Sequence, residues 1–112
     1  MFLNARTDTY LQGHPQPLPD TLHRTQLYAA AGADGIFVPG LTNLADIRHL
    51  CQATPLPVNL MALPNLPGFA ALAAAGVRRL SMGNSLFDAL GARQQQLCQQ
   101  ICHEQAFTTL FV

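Results

Sequence analysis

A chain of 112 residues accommodates at most one compact domain, since a single core normally draws on roughly 100 to 200 residues. Hydrophobic residues make up 49% and charged residues 11%, against roughly 25% charged in an ordinary soluble domain, so much of the surface is expected to be buried against something. The formal net charge is +0 and no run of basic residues occurs, which excludes the electrostatic footprint of a nucleic-acid or anionic-membrane binder.

In chain order, four short apolar runs read as strands: Met1 to Ala5, Gly35 to Val38, Val58 to Ala62 and Val77 to Met82. Each is bounded by Gly or Pro and lacks a clean two-residue alternation, as expected of parallel strands covered on both faces. After the first, His14 to Pro19 is polar and proline-rich; it reads as a surface loop or as an active-site loop of a barrel. Asp20 to Ala31 reads as a helix capped by Asp20 and stopped by Gly32. Asn43 to Cys51 follows, with Asn43 and Asp46 at capping spacing and Leu44, Ile47 and Leu50 or Cys51 on one face. Phe69 to Ala75 is a short third helix. The fourth starts near Asn84 or Ser85 and runs to about His103, where a stripe of Leu86, Leu90, Leu97 and Ile101 is expected to cover the last strand.

The segments AAAGADGIFVPG from Ala29 and AAAGVRRLSMG from Ala73 echo one another as helix end, glycine turn and strand. Alternating strands and helices with short connections belong to α/β folds, either a doubly wound sheet or a barrel. No GxGxxG follows a strand, so a dinucleotide fingerprint is absent and a barrel piece gains ground. No apolar stretch reaches the ~20 residues that span a bilayer. The first residues lack the pattern of a signal peptide. Cys51, Cys98 and Cys102 are odd in number and scattered through helical segments, which fits reduced thiols; the expected compartment is the cytoplasm.

Ligands of such folds meet the carboxyl ends of strands. There the first strand offers Arg6, a rigid fork suited to carboxylate or phosphate, whose structural alternative is a pair with Asp8. Asn59 is a polar amide inside an apolar strand and must find a partner, either structural or a substrate. The Ser81 to Ser85 segment leads into a helix whose free amides suit an anion, while Ser85 as an N-cap explains the same residues. Cys98, Cys102 and His103 form a CxxxCH pattern with no second ligand pair, and His14, His23 and His49 are isolated. Hydrolase, zinc-protease and nucleotide-loop motifs are absent.

Taken together, FLNARTD at Phe2 to Asp8, AGADGIFVPG at Ala31 to Gly40, LPVNLMA at Leu56 to Ala62 and GVRRLSMG at Gly76 to Gly83 resemble the isocitrate lyase and phosphoenolpyruvate mutase superfamily, in particular its phosphonomutase-like and carboxyphosphonoenolpyruvate mutase-like branch. The resemblance covers nearly all of residues 1 to 90. It implies that residues 1–112 are the carboxyl-terminal half of a (β/α)8 TIM barrel, its fourth to seventh strands with their helices, the amino-terminal half being absent. It implies a lyase or mutase, Mg²⁺-dependent, acting on C–C or C–P bonds of 2-oxo acid or phosphonate substrates. Arg6 matches the family arginine that contacts substrate carboxylate or phosphonate, and Asn59 the polar strand residue lining the same pocket.

Two departures bear on activity. Pro39 stands where isocitrate and methylisocitrate lyases carry a glutamate, which argues against those two reactions. The aspartate pair that holds Mg²⁺ and the loop with the lyases' catalytic cysteine lie in strands this sequence lacks, so no catalytic residue and no metal ligand is assigned here. The chain is therefore expected to be either part of such an enzyme or an inactive truncated half-barrel, and to pair with itself or with a complementary half.

Overall fold

The computed structural model describes residues 1–112. They divide into two compact units, Met1–Ser81 and Met82–Val112.

The first unit is a four-stranded parallel sheet in the order β1-β2-β3-β4, with β1 Asn4–Arg6, β2 Gly35–Phe37, β3 Val58–Met61 and β4 Arg79–Ser81. Its three crossovers are α1 Pro17–Ala30, α2 Leu44–Ala53 and α3 Phe69–Ala75. Every expected strand is present and pairs parallel, but each is shorter than its apolar run. Val38 and Val77, outside the ladder, join the core, whereas Met1, Phe2, Leu3 and Met82 are exposed. The second unit holds α4 Ser85–Glu104 and a short 3-10 turn, Thr108–Phe111. With its parallel sheet and four helices the chain is an α/β fold of the kind found in part of a TIM-type barrel.

Capping chemistry explains where the helices begin and end. α1 starts at Pro17, whose missing N–H costs nothing in the first turn, so Asp20 lies inside that turn and is not the cap. α1 also buries Thr21 and Thr25, whose hydroxyls donate to the carbonyls of Pro17 and Thr21 four residues back. Asn43 does cap α2, accepting from the amides of Ala45 and Asp46 at 3.0 and 3.1 Å. α3 closes on Gly76, at φ 105, with Val77 N–H bonded back to Leu72, a Schellman ending. At α4 the cap position is Asn84, and Ser85 is the first helical residue.

The core lies on one side of the sheet. Ile36, Val38, Val58 and Leu60 pack there with Ile47 and Leu50 of α2 and Leu72 and Ala75 of α3. The stretch before β2 ties its start to β1: Asp34 accepts the Leu3 amide at 2.8 Å, and the amides of Asp34 and Gly35 both donate to Leu3. Gly35 has to be glycine, because a Cβ there would stand 2.9 Å from Asn4 Oδ1 and 3.0 Å from the Phe2 ring.

Candidate functional site

Strand register decides which side chains share a face. Arg6 pairs with Phe37, Phe37 with Asn59, and Asn59 with Arg79; partners in parallel register project to the same side. A row of four therefore crosses the sheet on the face opposite the helix-packed core. Arg6 and Asn59 stand in one row with Phe37 between them.

Arg6 is the last residue of β1, at the carboxyl end of the strand. Its guanidinium lies over the Phe37 ring, 5.8 Å from the centroid. Its Nε donates to Asp8 Oδ1 at 2.6 Å. The side chains are 55% and 35% exposed, so the pair adds at most about 1 kcal/mol to stability. Its larger effect is orientation: with Nε held and the guanidinium plane against an aromatic ring, the terminal nitrogens remain to fork onto an anion.

Asn59 is 3% exposed. Its Nδ2 donates to Ser81 Oγ at 3.0 Å and its Oδ1 accepts from the same hydroxyl at 3.1 Å. A buried amide must be satisfied, and Ser81, one step along β4 on the same face, satisfies it. The pairing was invisible in sequence, since it needs β3 and β4 to be neighbours in this register.

Arg79 is the residue the sequence reading passed over. Alternation within Arg79–Ser81 places it on the same face as Ser81, and it stacks on Phe2, 5.3 Å from the centroid. The signal available was the parity of VRRLS, which sends adjacent arginines to opposite faces.

The loop after β1 is packed rather than loose. Thr9 shares a hydrogen bond with Thr21 of α1, Tyr10 donates to Asp46 at 3.0 Å, and Leu11 lies against Gly40, whose φ is 90. Burial first, then the bond to Asp46 and its charge, push the Tyr10 phenol well above 10.0. Burial raises the Cys51 thiol, against a smaller lowering by Arg78. A cavity of ≈ 280 Å³ lies beside α3 and β4, lined by Phe69, Leu72 and Leu80 among others; it is apolar in character and away from Arg6.

Magnesium needs several oxygen ligands converging on one point. No group of three or more His, Cys, Asp or Glu side chains converges here. The first unit's carboxylates are engaged separately: Asp8 by Arg6, Asp20 by Arg24, Asp34 by the Leu3 amide and Asp46 by Tyr10. The residues present do not fit a magnesium centre. Cys98, Cys102 and His103 are exposed on α4 and belong to no such group.

A family model for phosphoenolpyruvate phosphomutase matches residues 1–102. A solved structure of a proposed phosphonomutase from Burkholderia cenocepacia is 44% identical with a TM-score of 0.80, over 88% of this chain and 42% of that one. A Mycobacterium tuberculosis protein of uncharacterised function is 37% identical over 89 residues, 80% of this chain and 34% of its own length. An oxaloacetate decarboxylase of Bradyrhizobium diazoefficiens is 37% identical over 57 residues, 48% of this chain and 20% of the enzyme. The chain thus spans about a third of the curated relative it matches over most of its own length.

Proposed function

This chain belongs to the phosphoenolpyruvate phosphomutase family, within the superfamily of phosphoenolpyruvate mutase and isocitrate lyase, and from that premise we propose that residues 1–112 are the carboxyl-terminal half of its (β/α) barrel and carry the anion-recognition side of a lyase or mutase site. The substrate class is a 2-oxo acid or phosphonate in which a C–C or C–P bond is made or broken. The observation that carries this reading is Arg6: a guanidinium at a strand's carboxyl end, fixed by Asp8 and Phe37 with its terminal nitrogens free.

In that role Arg6 grips the substrate carboxylate or phosphonate and offsets negative charge developing on oxygen. Asn59, held by Ser81, lines the same face and keeps it polar beneath the substrate. Asp8 is a positioning residue for Arg6. The reaction's metal, Mg²⁺ by resemblance, and its acid or base come from strands outside this sequence, so turnover needs the complementary part of the barrel and the chain alone is expected to be inactive. The expected compartment is the cytoplasm; no helix is long and apolar enough to cross a membrane.

Calorimetric titration with oxalate, a planar analogue of a 2-oxo acid's two adjacent oxygens, tests the site. Arg6→Lys is expected to weaken binding by about 1 to 3 kcal/mol through loss of the forked geometry. Equal affinity of both proteins removes Arg6 from the site.

A further inference from the structure

A second cluster on the same sheet face joins the far end of Arg6's row, at Arg79, to the first residues of β1 and β2. Asn4, Gly35 and Arg79 are the first residues of β1, β2 and β4. The space left by the absent Gly35 side chain is filled by Asn4 Oδ1 and the Phe2 ring edge, and Arg79 stacks on that ring at 5.3 Å. One polar requirement is unmet there, and one cation is unpaired. Asn4 Oδ1 is buried and has no hydrogen-bond partner, although a desolvated acceptor left single costs about 1 to 3 kcal/mol. Arg79 is exposed and, like Arg48 and Arg78, makes no ion pair, so its charge is available to a partner.

A carboxylate for Arg79 does not come from the first unit, whose four carboxylates are already engaged. A second copy of the same unit suits the face poorly: it presents Arg6 and Arg79, with the single carboxylate of Asp8 already spent on Arg6. Closing two such faces on each other places cation against cation, which complementary interfaces avoid. Both ends of the sheet also remain unpaired, since β1 and β4 each have one neighbour. The solved relative has more than half of its length outside the region this chain covers, enough to supply further strands.

We propose that Arg79, Asn4 and Phe2 form a recognition site for an inward-facing acidic side chain on the polypeptide that completes the barrel. The guanidinium takes the carboxylate, and an accompanying donor on the same partner satisfies Asn4 Oδ1. This rests on the reading of the chain as part of a barrel and adds to it a device that favours an acid-bearing complement over a second copy. Its position, at the amino-terminal ends of strands, is where barrels hold themselves together, as Arg6's position is where they bind substrate.

The test co-expresses the full 112-residue chain with the segment of the Burkholderia cenocepacia phosphonomutase that it does not cover, and measures association by light scattering and calorimetry. A 1:1 complex is expected. Arg79→Gln should weaken it about 10- to 100-fold, as loss of one partner of a desolvated charge pair does, with Arg79→Lys in between. Asn4→Asp should also weaken it, by adding negative charge to the site that receives the partner's acid; this variant serves if Arg79→Gln does not fold. Charge reversal at one inward acid of the segment should restore binding to Arg79→Glu. Absence of a complex, equal affinity of Arg79→Gln and Asn4→Asp with the parent, or a homodimer that excludes the segment each overturns the proposal. Oxalate binding reports separately on Arg6, so failure of the function reading and failure of this one give different results.

Discussion

Thr7 is 2% exposed and its Oγ1 has no hydrogen-bond partner, so the folded chain carries a desolvated hydroxyl directly after Arg6. Thr7→Val keeps the shape and removes that penalty, and urea denaturation is expected to show stability unchanged or raised by about 1 kcal/mol. Tyr10 makes a pH-dependent contribution of definite sign. The unfolded phenol loses its proton near 10.0 and the folded one keeps it, so the unfolded state binds fewer protons above that pH. The contribution is complete below about 10 and is lost as pH rises toward the folded value. The Cys51 thiol, raised from 9.0 by burial, adds a fall of the same sign beginning near there. Urea midpoints compared between roughly pH 9 and 11 should drop for the parent chain and drop less for Tyr10→Phe, the remainder being Cys51. An equal drop in both would show that neither burial nor Asp46 raises the phenol.

Helix endings make the sharpest predictions among the elements, because two glycines in helical settings should respond in opposite directions. Gly76 ends α3 at φ 105, and a Cβ there would lie 2.9 Å from Cys51 Cβ. Gly76→Ala therefore meets both a left-handed backbone and a clash with α2, and should cost about 2 kcal/mol or more. Gly91 lies inside α4 with nothing within 4 Å of its added Cβ. Gly91→Ala should raise helicity and stabilise that unit by about 0.5 to 1 kcal/mol. Circular dichroism melts of the two variants check both signs. The echo between Ala29 and Gly40 and Ala73 and Gly83 has the same physical origin: each helix stops at a positive-φ glycine, Gly32 or Gly76, and leads into a strand.

At the scale of the molecule, the chain exposes large apolar side chains with little charge around them: Phe69 and Leu80 in the first unit, Phe87 and Leu90 in the second. Such surface favours association. Alone at micromolar concentration the chain is expected to scatter as a concentration-dependent mixture, and the complementary segment should convert it to a discrete complex. A dispersed monomer at all concentrations would contradict the apolar-surface argument. Titration with Mg²⁺ alone should release no heat attributable to a bound ion, since no three ligands converge.

What the sequence by itself determined was the local grammar. Pro, Gly and Asn punctuation located all four strands and all four helices, and Asn43 and Gly76 worked as a cap and a stop because those effects act over three or four residues. Arg6 was legible as a ligand candidate because a cation closing an apolar strand is unusual in any fold. Asp20 and Ser85 were misread as caps: α1 begins earlier, at Pro17, whose ring suits the first turn, and α4 has Asn84 at its cap position, in both cases with no side-chain capping bond to mark the start. Only the tertiary structure decided the partnerships. Ser81 satisfies Asn59 across two strands, Tyr10 reaches Asp46 thirty-six residues away, and Arg79 shares a row with Arg6 through the register of three parallel pairs. A parallel register is set by how crossover helices pack on the far side of the sheet, and no short-range pattern encodes it.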